Sequence, residues 1–271
     1  MKILDGRELA DYVKERQAKQ VRALRQAWST FPKLAIIVAT DNQVIDMFVR
    51  LKRSYGEDVL IDVDIHKVEQ SAVAGLIEQL NNDETVHGIV LQLPLSDPSQ
   101  TDELVALIDP EKDVDGLGPD SKYISATATA IDWLAAGYNV TLRDRVIAIV
   151  GNGRLVGAPL AKLWLNAGLN VHVYDDTTTN LQEVLRAADV IVTATGVPGL
   201  ITSSMVAAGK VVIDAGTASE NGVIVGDVAA DVRERQDLAI TPIIGGVGPL
   251  TIAALFDNVM TAARKTAPSN E

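Results

Sequence analysis

The chain has no cysteine, which excludes disulfides and thiolate metal sites. Histidine is scarce: His66, His87 and His172 are scattered, and none has a metal-ligand spacing. Excess positive charge is also missing. A net charge of −12 argues against nucleic acid or an anionic membrane as a partner, and says little about a small anionic ligand, which responds to the local field. No apolar run reaches membrane-spanning length. The opening stretch MKILDGRELADYVKERQ is charged and amphipathic without an apolar signal core, so a soluble cytoplasmic protein is expected. There is no internal repeat, and low complexity is confined to the polar end PSNE. No nucleophile–base pair of the hydrolase kind stands out. What is there is globular: 271 residues, 47% hydrophobic and 22% charged, enough for a sizeable core and for two domains.

Periodicity predicts alternating strands and helices. Asp5 can cap a first helix carrying Leu9, Tyr12, Val13, Val21 and Leu24 at helical spacing. Strands are expected at 33–39, 59–66 and 88–93, and helices at 44–54, 71–80 and 101–108. A polar, glycine-bearing stretch at 111–122 separates two halves, and 127–137 reads as a linking helix. Further strands are expected at 146–150, 170–174, 190–194, 211–214 and 239–241, and a last helix at 251–265. This pattern predicts two three-layer α/β domains with mostly parallel sheets.

The stretch VIAIVGNGRLVGAP (146–159) runs strand, glycine turn, helix. Gly151, Asn152 and Gly153 open a turn in which backbone can approach a pyrophosphate at a helix N-terminus. The spacing G-x-G-x-x-x-G also suits an ordinary tight turn. Asp175 and Asp176 end the next strand, where a ribose-binding carboxylate sits about 20 residues past the first glycine; helix capping or a solvated turn is the alternative. Two more turns, with Thr195 and Gly196 in TGVPG and Thr217 in AGT, follow strand ends and point at one crevice. Among embedded polar residues, Gln92 in GIVLQLPL is either a satisfied core amide or a strand-end residue aimed into a cleft. Lys52 shares a helix face with Phe48. Asp113 and Asp115 in KDVDG read, unaided, as turn formers.

The stretches LDGRELA (4–10), FVRLK (48–52), HGIVLQLPL (87–95), DPEKDVDG (109–116), VGNGRLVGAP (150–159), TATGVPGLI (193–201), VVIDAGTASENGVIVGDV (211–228) and ITPIIGGVGPLTIAALFDN (240–258) occur in this order over nearly the whole chain. Together they resemble the methylenetetrahydrofolate dehydrogenase / methenyltetrahydrofolate cyclohydrolase family of bifunctional one-carbon folate enzymes. The resemblance implies a folate-binding catalytic domain over 1–122 plus 249–271 and a Rossmann-like NAD(P)-binding domain over 123–248. It also implies folate in a cleft between them and a homodimer joined through the nucleotide-binding domains. It places the catalytic lysine on Lys52, the glutamine that positions it on Gln92, and the aspartate that holds the pterin on Asp115. A substrate-closing loop falls on 245–251, including Gly246, Pro249 and Thr251.

The chain departs from the family at several points. The family tyrosine before the lysine is Phe48, which keeps the stacking surface and loses the hydroxyl. A proline-rich segment is reduced to Ser125, Ala126, Thr127 and Ala128, and the usual proline before GGVGP is Ile244. The His-Ser that lies near an NADP 2′-phosphate is Asp175-Asp176, so NAD is the expected cofactor, with Arg154 able to reach a phosphate. Besides the bifunctional enzyme, three alternatives follow: a monofunctional NAD-dependent dehydrogenase, a non-catalytic folate- or nucleotide-binding paralogue, and a related dehydrogenase of another small substrate.

Overall fold

A computed structural model describes residues 1–220 and 223–267. The end PSNE, with which the expected 249–271 segment closes, and residues 221–222 of the 211–228 stretch lie outside the described residues. In chain order the elements begin with β1 (Lys2–Ile3), α1 (Gly6–Trp28), β2 (Lys33–Val38), α2 (Gln43–Val59), β3 (Asp62–Lys67), α3 (Val73–Asn82), β4 (Gly88–Gln92) and α4 (Thr101–Ala106). There follow α5 (Ala126–Gly137), β5 (Val146–Val150), α6 (Gly157–Asn166), β6 (Asn170–Tyr174), α7 (Leu181–Ala187), β7 (Val190–Thr193) and β8 (Val211–Asp214). The chain ends with β9 (Ala218–Glu220), β10 (Val223–Val225), α8 (Ala230–Arg233), β11 (Ala239–Ile240) and α9 (Val247–Thr266). Two compact units result, one of Asp11–Ala126 with the chain from Ile252 on, the other of Met1–Ala10 with Thr127–Thr251.

The first unit is built on a parallel sheet of order β3–β2–β4. β2 (KLAIIV) is apolar on both faces because it is the central strand. Ala35, Ile37, Ile89, Leu91, Ile77 and Leu80 close one side of its core. α2 starts where the Asn42 side chain accepts from the backbone N–H of Val44 and Ile45, and it stops at Leu60 in the left-handed conformation. It buries Ile45, Val49, Gly56 and Val59, leaving Phe48 and Lys52 half-buried. β4 ends at Gln92, just before a cis Leu93–Pro94 peptide.

The second unit carries a six-stranded sheet of order β1–β11–β8–β7–β5–β6, parallel at every pairing. β5 has β6 on one side and β7 on the other. The strand order therefore reverses at β5, and a ligand crevice is expected outside the carboxyl ends of β5 and β7. Ile147, Ile149, Val190, Val192 and Ile213 pack against Leu160 and Trp164 of α6.

Several expectations need correction. Residues 1–10 pack with the second unit, because β1 pairs with β11 and Leu4 is buried in that core. The expected linking helix is α5, whose Ile131 and Leu134 are fully buried core residues. The expected loop 245–251 is helical from Val247 on, since a proline fits the first turn of a helix, where no hydrogen bond is asked of its nitrogen. The periodicity did not predict β1, α7 or the β9–β10 hairpin.

Candidate functional site

In the first unit Lys52 projects from α2 and donates from Nζ to Gln92 Oε1 at 2.8 Å. Gln92 Nε2 donates to the Leu93 carbonyl at 3.2 Å, so the amide is fixed at both ends. It is a strand-end residue held against a lysine. Burial pulls the Lys52 ammonium below the usual lysine range, and the charge of Asp115 works against that. Burial pushes the Asp115 carboxyl up, Lys52 pulls it down and Asp113 pushes it up. Lys52, Gln92 and Asp115 thus form one electrostatic group. Asp113 is the turn former here: it is buried, and its Oδ2 accepts from the Gly118 N–H at 2.7 Å.

The Asp115 segment is pinned by a residue that the sequence reading did not single out. Lys112 Nζ donates to the carbonyls of Leu80, Asn81 and Asp83 at 3.0, 2.8 and 2.8 Å, and its own carbonyl accepts from Ile89 N–H at 2.7 Å. Its position just before an acidic turn is the only sequence signal of that role. Gly116 (φ +72°) turns the chain where a Cβ would lie 2.6 Å from Ser125 N. Tyr55, one turn beyond Lys52, cannot replace the hydroxyl absent at Phe48. Its own hydroxyl donates to Gln17 Oε1 at 2.8 Å, and its ring lies 5.0 Å from that of Phe256.

In the second unit Gly151 (φ +99°) donates to the Tyr174 carbonyl at 2.7 Å, which sets the end of β6, and so Asp175, beside the glycine turn. A Cβ on Gly157 would lie 1.8 Å from Gly151 O, so α6 can start there only with glycine. Gly153 has no atom within 4 Å of where its Cβ would be, and α6 begins without a side-chain cap. Open backbone before an uncapped helix start is a shape that fits a dinucleotide pyrophosphate. Asn152 and Gly153 are exposed. Asp175 and Asp176 are exposed as well, and Asp175 Oδ1 accepts from Thr177 N and Oγ1 at 3.0 and 2.6 Å, which lowers its pKa.

Gly196 (φ +71°) and Thr217 come together, a Cβ on Gly196 lying 3.7 Å from Thr217 O. Thr195 is turned inward: its N–H and hydroxyl both donate to Asp227 Oδ2, at 2.6 and 2.9 Å. Gly246 is buried against Gly6, whose Cβ would lie 1.8 Å from Gly246 O. Pro249 and Thr251 stand half-buried in the first turns of α9, with Thr251 Oγ1 bonded back to the Val247 carbonyl at 3.3 Å. Among the described residues no group of three or more His, Asp or Glu could hold a metal ion.

Comparison with known proteins gives a consistent picture. Residues 4–115 match the catalytic-domain model of tetrahydrofolate dehydrogenase/cyclohydrolase, and residues 125–267 match its NAD(P)-binding-domain model. The chain is 36% identical over 277 residues to the bifunctional protein FolD of Lactobacillus acidophilus, covering 97% of this chain and 98% of that one. It is similar to the crystal structure of the bifunctional FolD methylenetetrahydrofolate dehydrogenase/cyclohydrolase of Campylobacter jejuni, with a TM-score of 0.91, 34% identity and coverage of 98% and 99%. The Trypanosoma brucei dehydrogenase-cyclohydrolase, solved with NADP and an inhibitor, gives a TM-score of 0.91 at 30% identity over 97% of both chains.

Proposed function

This chain belongs to the tetrahydrofolate dehydrogenase/cyclohydrolase family, and from that premise we propose that it performs both of that family's reactions. It oxidises 5,10-methylenetetrahydrofolate to the 5,10-methenyl form with a nicotinamide dinucleotide, and hydrolyses the methenyl form to 10-formyltetrahydrofolate. The observation that carries this reading is the 2.8 Å bond from Lys52 to Gln92 beside Asp115. A lysine made less basic by burial exchanges a proton with the water that adds to the methenyl carbon. Gln92 aims it. Asp115 offers a carboxylate to the paired N–H donors of the pterin edge.

The dinucleotide, when bound, accepts the hydride of the methylene carbon. Gly151, Asn152 and Gly153 would hold its pyrophosphate, Asp175 and Asp176 its ribose, and Gly196 and Thr217 its remaining half. Hydride transfer asks the protein for placement and needs no acid or base. The two exposed carboxylates at the end of β6 favour a ribose diol over a 2′-phosphate, so NAD is the preferred cofactor. A homodimer through the nucleotide-binding unit is part of the same reading. It is supported by β6, an edge strand whose Val173 is 36% exposed, and by Leu165 at the end of α6, 53% exposed.

The test is reduced-nicotinamide formation from methylenetetrahydrofolate with NAD and NADP in parallel, with methenyl decay followed in the same cuvette. Turnover with NAD well above that with NADP, and methenyl decay above the buffer rate, are expected. Equal turnover with both cofactors would remove the role given to Asp175 and Asp176. Phe48 favours a second reading, a dehydrogenase with little hydrolase activity. The substitution Phe48→Tyr separates the two, since a hydrolysis rate raised more than about tenfold would mean that the missing hydroxyl limits that step.

A further inference from the structure

Asp227 is fully buried in the nucleotide-binding unit, and the family resemblance assigns it no role. Its Oδ2 accepts three hydrogen bonds, from Thr193 Oγ1 at 2.6 Å, Thr195 N–H at 2.6 Å and Thr195 Oγ1 at 2.9 Å. Its Oδ1 is buried with no hydrogen-bond partner among the described residues. That oxygen faces Gly216, where an added Cβ would come within 2.0 Å of it. Burying a carboxylate with one oxygen unpaired is costly, and an apolar residue of similar size would serve the core better. A carboxylate in this place therefore needs a reason beyond packing.

Its connections supply one. The three donors belong to the end of β7 and the turn that follows it, while the opposite oxygen abuts the turn after β8. Asp227 therefore joins the ends of two adjacent strands beside the switch point. Asp214 makes the reciprocal link: its Oδ1 accepts from Gly216 and Asp227 N–H at 3.0 and 3.1 Å, and its Oδ2 from Val228 N–H at 3.1 Å and from Arg233. Arg233 is thus spent on Asp214, and among the described residues the three donors to the Asp227 carboxylate come from the end of β7 and its turn. With a ribose at the end of β6 and the pyrophosphate at β5–α6, the other half of a dinucleotide extends over β7 and β8. Its path runs over Gly196 and Thr217.

We propose that Asp227 is the positioning residue of the dinucleotide site, holding the turn 195–199 through Thr195 at a fixed spacing from the turn 215–217. This rests on the dinucleotide-binding role given above. The test uses the full chain and two variants. Asp227→Asn places an amide N–H₂ where Oδ1 now faces Gly216 and removes the carboxylate charge from the three donors. Thr193→Val removes one of the three donors with little change of shape, from inside β7.

At a temperature where each variant is fully folded, KM for the dinucleotide is expected to rise at least tenfold in Asp227→Asn and about threefold in Thr193→Val. Methenyl hydrolysis, assayed without dinucleotide, is expected to stay within twofold. Unchanged KM in both variants, with only the melting temperature lowered, would make Asp227 a folding residue and overturn the proposal. If Asp227→Asn does not fold, Thr193→Val decides the matter alone. Fluorescence titration with NADH and NADPH gives affinities independently of turnover. A parent protein that binds dinucleotide without oxidising folate would defeat the functional reading and leave the same affinity test in force, whereas one that binds neither would defeat both.

Discussion

Lys52 carries the sharpest consequence at the scale of single residues. Its pKa lies below the ordinary lysine value because burial outweighs the opposing charge of Asp115. The neutral amine is the form that takes up a proton, so kcat/KM for methenyl hydrolysis is expected to rise with pH through this lowered pKa and then level off. Removing the Asp115 charge in Asp115→Asn removes the influence that raises the lysine. The rising limb should move to lower pH, and a limb that stays in place would break the link between the two groups. Lys52→Met should lose hydrolysis by at least about 100-fold. Lys52 and Phe48 were legible as one helix face, and Gln92 was legible as a polar residue in an apolar strand. The bond between Lys52 and Gln92 was not, because it joins positions on a helix and a strand that only the tertiary fold brings together.

At the scale of elements, the glycine turn after β5 separates two jobs of one residue type. Gly157→Ala would drive a methyl into Gly151 O, so a loss of stability of about 3 kcal/mol is expected in urea unfolding. Gly153→Ala meets nothing in the protein and should leave stability unchanged, while KM for the dinucleotide rises if a phosphate approaches that backbone. Equal effects of the two variants would contradict this division. Lys112 acts on a different element: Lys112→Met removes its three bonds to carbonyls at the end of α3, of which those of Leu80 and Asp83 keep backbone donors, and about 2 kcal/mol should be lost. Strands such as β2 and β5 were readable because they are short, apolar but for Lys33 at the start of β2, and bounded by turn residues. The two residues of β1 carry no periodicity. The three-residue strands of the β9–β10 hairpin are too short for alternation to register. The start of α9 was misplaced because its first turn holds Gly248 and Pro249, residues that ordinarily mark loops.

At the scale of the whole molecule, the division into two α/β units was visible in the sequence, but the ownership of the first ten residues was not. That assignment depends on β1 pairing with β11, at the far end of the chain. Leu4, fully buried in the core of the nucleotide-binding unit, is therefore a test of the boundary. Leu4→Ala should cost about 3 kcal/mol and weaken dinucleotide binding before it weakens methenyl hydrolysis. The opposite order would return residues 1–10 to the first unit. The same strand has a bearing on how the protein is made. The Lys2 N–H donates to the Leu238 carbonyl and the Leu4 N–H to that of Ile240, so residues 2–4 find their places only after residue 240 has been added. At ~5–20 residues per second that wait lasts roughly 10–50 seconds. The other unit is also unfinished until the chain beyond Ile252 emerges. The nucleotide-binding unit has all its residues once Thr251 is added and so can complete its fold first, and a nascent chain stalled before residue 239 should still yield residues 1–10 to protease.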